Sequence, residues 1–392
     1  MNIYSQPTIV NIFMICYYSV MGKLNNISKG LYGMVAALTL LFAVFVYQQS
    51  EEFTPIYHET AYDYEFVRGK VVEINHSSSE TGIELLVKIR GGKMVDEVVV
   101  SQVSAVHNFN KYKIGDDVQV YAMTNTSTDK VTYEVADYYH QNGLFWIFIF
   151  FSVVAVIVAR KKGMTAVLSV GLSLALFYFV FLKMVVAGYS PVLACLVFVL
   201  IVTVLTIPLI HGFNKKAFSA MTAIFIGYGL SFLAAYLFEN ISQLGIAPGE
   251  EFRILGIMYP DVSLSDVLIA TLFMGAVGAL IDTAVSISSA IFEAVETHSR
   301  QTFEKIYKIG MEIGKDVLGS MINTLLFAYL ASALPFLILI SLDQGSGLSE
   351  LINMDFIALE LTRTFVGAIS LVLLIPIAAS ISAYVFVKCG KQ

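Results

Sequence analysis

Asp282, Ser286, Ser289 and Glu293 are spaced by four, three and four residues. On an α-helix that spacing gathers them on one face. They lie in or just beyond Leu264–Phe292, a stretch that is otherwise largely apolar. A charged side chain near the centre of a bilayer costs about 2.5–3.5 kcal/mol on insertion scales. Such residues usually face the interior of a helix bundle, and many mark a path for ions, protons or polar solutes. Ser320, Asn323 and Thr324 share a face near the start of the next apolar segment. At ~1.5 Å per residue, Asp282 and Asn323 each sit ~9 Å inside a membrane edge drawn at Ser288 and Val317. A hydrogen bond from Asn323 to the Asp282 carboxyl is therefore expected to be within reach. Two readings of Asp282 stand side by side, a transport-related polar site and a structural pin between helices. Ser286 and Ser289 read first as packing residues, and Glu293 as a solvated charge at the membrane edge. Gly275, Gly278 and Ala279 lie one to two turns before Asp282, where small residues let a neighbouring helix approach.

No motif for covalent or metal chemistry accompanies this face. The six histidines form neither HxxxH nor HExxH, and Cys16, Cys195 and Cys389 are too scattered for a metal or disulfide framework. P-loop and dinucleotide fingerprints are absent as well. An intramembrane aspartyl protease needs two deep aspartates, and Asp282 stands alone. The expectation is a protein with no catalytic residues, no metal and no cofactor.

The chain has 392 residues, 57% hydrophobic and 14% charged. An average soluble domain is nearer a quarter charged, so this composition is that of a membrane protein. Segments long and apolar enough to cross a bilayer are expected at Leu31–Tyr47, Leu144–Ala159, Met164–Ala187, Pro191–Ile210, Phe218–Phe238, Leu264–Ser288, Val317–Ser341 and Phe365–Val387. The fold class expected is thus an α-helical bundle of about eight transmembrane helices. Pro335 and Pro376 are expected to kink the last two. Lys183 and Arg363, near segment ends, are expected to snorkel to the interface. Arg300–Lys315 reads as an amphipathic interfacial linker interrupted by Gly310 and Gly314.

Basic residues orient the segments, because cytoplasmic loops collect Lys and Arg. Arg160-Lys161-Lys162, Lys215-Lys216, Arg300 to Lys315, and Lys388 with Lys391 fall in alternate loops, while the loops between them hold almost none. Both termini are therefore expected in the cytoplasm and residues 51–141 outside it. That outer region changes period. Phe66–Ile74, Gly82–Arg90, Val95–Val100, Val118–Met123 and Val131–Asp137 read as strands, punctuated by turn residues. A small β domain follows, an OB-like barrel or a sandwich, between helices one and two. Its 15 acidic and 8 basic residues repel phosphate, so nucleic acid is excluded as a partner.

The expected domains are a cytoplasmic N-terminus at 1–30, an anchor at 31–47, the β domain at 51–141 and a multispan bundle at 144–392. Met21-Gly22-Lys23 is the expected start of translation, the other reading of Met1–Val20 being a disordered or interfacial leader. Leu31–Tyr47 lacks a small-residue cleavage site and reads as an uncleaved anchor.

Three runs, GAVGALIDTAVSISSAIFE (275–293), IGKDVLGSMINTLLFAYLASALPFLIL (313–339) and ELTRTFVGAISLVLLIPIAASISAY (360–384), resemble the YibE/F-like family of bacterial membrane proteins. Asp282, Glu293, Asp316, Asn323 and Thr324 carry the resemblance, and Leu330-Ala331-Ser332 departs from it. The resemblance implies a bacterial plasma membrane and no established reaction. The functional expectation is a permease or transporter-like bundle using Asp282. The alternative is a non-transporting protein whose outer β domain binds a partner or envelope component. Partners are then the lipid bilayer and a solute or protein of unassigned identity.

The orientation is tested by cysteine accessibility in intact cells. Ser127→Cys should react with a membrane-impermeant reagent and Lys161→Cys should not. Labelling of Lys161→Cys from outside reverses the topology.

Overall fold

The computed structural model describes residues 62–76, 83–91, 96–103, 112–125, 128, 130–244, 249–296, 302–342 and 347–389. The segments read as a cytoplasmic N-terminus (1–30) and an anchor (31–47) lie outside the described residues. The described residues divide into two compact units, one within Ile56–Met164 and the other within Thr165–Gln392.

In the first unit, alternating apolar residues make strands β1 (Tyr62–His76), β2 (Ile83–Ile89), β3 (Val98–Val103), β4 (Asp117–Asn125) and β5 (Val131–Tyr138). Each overlaps a stretch expected from the sequence, with β3 displaced three residues toward the C-terminus. Period-two patterning sends Val67 and Val71, Leu85, Val87 and Ile89, and Val118 and Val120 to one buried core. The strand order is β1-β2-β3-β5-β4 with β4 returning to β1, which closes a barrel. The seam is a short parallel pairing of Gln102 with Glu134 and Val103 with Val135. Of the two shapes expected, the barrel is the one adopted. Its interior is tight at Gly69, where an added Cβ would lie 2.2 Å from Val87 Cγ1. Arg68 reaches Asp117 at 2.9 Å and stacks over Tyr139, its guanidinium carbon 4.6 Å from the ring centroid.

Helix α1 (Gln141–Leu176) follows the barrel and is broken at Arg160, where φ is 49° and ψ −122°. The break turns the chain back on itself. An added Cβ at Gly163 would lie 2.0 Å from the Ala155 carbonyl oxygen. The break falls in the basic triplet Arg160-Lys161-Lys162, which separates two segments expected to cross the bilayer. Residues 144–159 are apolar and almost all exposed.

The second unit is helical. The end of α1 passes into a π-helical stretch, Phe177–Leu182, and a short α2 (Lys183–Val186). Phe177 and Phe181 stack there, with Phe198 set edge-on to Phe177. Then come α3 (Pro191–His211), α4 (Lys215–Ser242), α5 (Glu250–Met258), α6 (Leu264–Glu296), α7 (Phe303–Leu342), α8 (Leu348–Ile352) and α9 (Asp355–Cys389). Helix α3 opens on Pro191, whose missing N–H would be unpaired at that position anyway. Asn214 caps α4 by accepting a hydrogen bond from Ala217 N at 2.8 Å. Six helices among the described residues are long and apolar enough to cross a membrane, with Gln141–Val186 counted as one. Seven of the eight segments expected from the sequence fall on them.

Helix α9 is the common support on which α4, α6 and α7 pack. The close approaches occur at glycine. A Cβ at Gly227 of α4 would lie 2.9 Å from Leu374 Cδ1, and one at Gly367 of α9 would lie 2.8 Å from Leu325 Cδ1. On α7, a Cβ at Gly310 would lie 2.6 Å from Ile291 Cδ1 and 2.8 Å from Ala379 Cβ, and one at Gly314 would lie 2.3 Å from Ile375 Cγ2. These contacts correct the reading of Arg300–Lys315 as an interfacial linker broken by two glycines. From Phe303 onward it is the first part of α7, and the glycines are where α7 seats on its neighbours. The helical assignment also runs through Pro335 in α7 and Pro376 in α9.

Gly314→Leu should overpack the α7–α9 contact and lower stability by about 1–3 kcal/mol. Gly319→Leu, with no heavy atom within 4 Å of the added Cβ, should stay within about 0.5 kcal/mol of the parent. Denaturant unfolding of the purified variants in detergent measures both.

Candidate functional site

Helix α6 has two unlike faces. Leu272, Phe273, Ala276, Leu280, Ala284, Ile287 and Ile291 are buried at helical spacing. At ~100° per residue, Asp282 points ~200° away from Leu280, on the opposite face. There Gly278, Asp282, Ser286 and Glu293 are exposed and Ser289 is half-buried. The stripe expected from the sequence is thus one continuous face of α6. Among the described residues of the helical unit, nothing encloses it.

On α7, Ser320, Asn323 and Thr324 are also exposed. Their bonding is local, with Ser320 Oγ donating to Val317 O at 2.8 Å and Thr324 Oγ1 to Ser320 O at 2.9 Å. Two contacts set the level of α7 against α6. Tyr329 meets Gly275 near one end, and Gly310 meets Ile291 near the other. Counting along both helices from these points puts Asp282 level with residues 319–322. Ser320 falls within that level, and Asn323 and Thr324 lie one and two residues beyond it. Among the described residues no hydrogen bond joins Asp282 to Asn323. Both helices pack on α9, and between their two crossing contacts these faces remain apart. A Cβ at Gly278 or at Gly319 would meet no heavy atom within 4 Å.

The open face of α6 ends at a buried charged cluster that the sequence reading passed over. Gly275, seven residues before Asp282, lies on the same side of α6. Tyr329 of α7 donates from its hydroxyl to Gly275 O at 2.6 Å. Arg363 of α9 stacks over the Tyr329 ring, its guanidinium carbon 5.3 Å from the centroid. A Cβ at Gly275 would lie 2.5 Å from the Tyr329 hydroxyl and 3.0 Å from Arg363 Cγ, so glycine makes room for both. Nη1 of Arg363 donates to both oxygens of Glu360, at 2.9 and 2.8 Å. The two side chains are only 16% and 5% exposed. Arg363 does not snorkel to an interface, because its counter-charge stands one helical turn away inside the bundle. The i, i+3 spacing of Glu360 and Arg363 was the available signal.

Elsewhere two pairs of polar side chains inside the bundle meet across helices. Thr203 of α3 and Tyr228 of α4 lie 2.6 Å apart, and Ser288 of α6 and Ser382 of α9 lie 2.9 Å apart. Cys195 is buried, with its sulfur 3.9 Å from Ala270 O. Among the described residues, no group of three or more His, Cys, Asp or Glu side chains is placed to hold a metal ion.

In comparison with known proteins, the model of a family described as YibE/F-like protein matches residues 146–388. The match takes in the helical region and leaves out the barrel. No curated protein and no solved structure matches the chain.

The geometry separates the two acids by their tolerance of change. Asp282→Leu should leave the stability of the purified protein within about 0.5 kcal/mol of the parent, since it strands no partner. Glu360→Leu should cost about 3–5 kcal/mol by leaving the Arg363 charge buried and unpaired. Unfolding midpoints of the two variants, measured side by side, check this. A large loss at Asp282→Leu would return that residue to a structural role.

Proposed function

Because the YibE/F-like model takes in more than half of the chain, this protein belongs to the YibE/F-like family, and we propose that it is a permease-type membrane protein that carries a polar solute or ion along the open face of α6. The observation behind this reading is the placement of Asp282. It stands near the middle of the apolar span Leu264–Val295, on a face that the described residues of the helical unit do not cover. A carboxylate at such a position is too costly to leave in hydrocarbon, and intramembrane acids of this kind face protein or water-filled cavities. The polar groups Ser286, Ser289 and Glu293 continue the lining along α6, and Ser320, Asn323 and Thr324 on α7 lie near the level of Asp282. Gly278 and Gly319 keep space beside it.

The membrane in question is the bacterial plasma membrane. Basic loops support cytoplasmic termini, with the anchor at 31–47 as a further crossing and the barrel outside. The barrel is OB-like, a five-stranded Greek-key closure. The protein is not an enzyme in this reading, and it uses no cofactor.

One observation favours the second reading, a non-transporting protein that works through its barrel. The barrel exterior carries Phe66 at 58%, Val98 at 53% and Val100 at 59% exposure. The Phe66 ring packs against Tyr121 with centroids 4.5 Å apart. Exposed apolar side chains of this size suit a protein or envelope partner.

The test compares the solute and metal content of a deletion strain complemented with the parent or with Asp282→Asn. The amide keeps shape and hydrogen bonding, so Asp282→Asn should be made and folded normally yet fail to restore the parental profile. Full complementation by Asp282→Asn would end the transport reading of this face and move the function to the barrel.

A further inference from the structure

We propose that Arg363 is the recognition group of an oxyanion-binding site at the head of the α6 face, taking a phosphate or carboxylate group. The first ground is the way its hydrogen-bonding capacity is divided. Nη1 alone serves Glu360, donating to both carboxylate oxygens. Nε is buried and has no acceptor. A guanidinium meets an oxyanion most favourably with two parallel N–H bonds, and the edge formed by Nε and Nη2 offers such a pair. A structural ion pair at its best would have used that fork against Glu360.

The second ground is rigidity. The guanidinium lies over the Tyr329 ring, and the Tyr329 hydroxyl is tied to Gly275 O at 2.6 Å. Three helices, α6, α7 and α9, thereby hold the group in place, which lowers the cost of ordering it on binding. The third ground is position. Gly275 lies on the same face of α6 as Asp282, ~10 Å away along the axis. An anion at Arg363 would stand at the end of the polar stripe. Glu360 neutralises the site at rest, and an arriving anion competes with it for the guanidinium.

The site adds the chemistry of the solute to the proposed function and rests on that reading only for the link to transport. Anion binding itself does not depend on Asp282. The oxyanion has two sources, a soluble anion or the phosphate of a lipid headgroup, which share one recognition chemistry.

The experiment uses the full chain in nanodiscs of phosphatidylcholine, with inorganic phosphate as the probe and thermal shift and radiolabel binding as readouts. The parent should show a saturable phosphate-dependent rise in melting temperature. The double variant Glu360→Gln/Arg363→Gln removes both charges together, so no buried charge is stranded, and it should fold and lose that response. Glu360→Gln alone should bind phosphate about tenfold tighter, with its stability rising as phosphate is added. Arg253→Gln, which removes an exposed cation paired with Glu250 on α5, should bind phosphate as the parent does. If phosphatidylglycerol in the disc abolishes the phosphate response, the occupant is a lipid headgroup. If it does not, the occupant is soluble. A parent with no phosphate response, or a double variant that binds as well as the parent, would overturn the proposal.

Discussion

The helical unit depends on how closely three helices can approach α9. Apolar side chains alone do not hold helices together in a lipid environment, because lipid tails are as apolar as leucine. What remains is packing, and packing is best where backbones come near. Gly227 on α4 against Leu374, and Gly310 and Gly314 on α7 against Ala379 and Ile375, are the places where this happens. Gly367, on α9 itself, receives Leu325 in the same way. Ser288 and Ser382 add an interhelical hydrogen bond between α6 and α9. This shared support also leaves the stretch of the α6 face around Asp282 uncovered among the described residues.

That leftover face explains why two acids in one bundle behave differently. Glu360 lies on α9 itself, where neighbouring helices enclose it, and it carries its own counter-ion one turn further on. Asp282 lies on α6 opposite the residues that pack inward. A helix can bury only part of its circumference, and with the buried side given to Leu280, Ala284 and Ile287 the Asp282 side is left open. Gly275 lies at the end of this side, where α7 and α9 close over it through Tyr329 and Arg363. The open face and the buried ion pair are therefore two parts of one surface.

The barrel is held by a different logic. Its core needs only every second residue, and the other residues are free to be acidic or, at Phe66, Val98 and Val100, apolar. The alternation was readable at each strand. Closure was not, because it depends on the parallel meeting of β3 with β5 across residues far apart in the chain.

The sequence by itself determined the local matters. Hydropathy and segment length named the helices long enough to cross a membrane, and period two named the strands. A spacing of four, three and four placed Asp282, Ser286, Ser289 and Glu293 on one face. These rest on properties of neighbouring residues, so no knowledge of the fold was needed. The tertiary structure alone decided which side of α6 packs on its described neighbours, and Asp282 lies on the other side. It also decided that Gly310 and Gly314 are seats for neighbouring helices and not breaks in a linker. Arg363, which reads as a snorkelling cation from its place near a segment end, has Glu360 one turn away on its own helix and finds the Tyr329 ring only once α7 and α9 are side by side. Burial, pairing and close approach are relations between segments distant in sequence, and helical periodicity carries no information about which segment will be the neighbour.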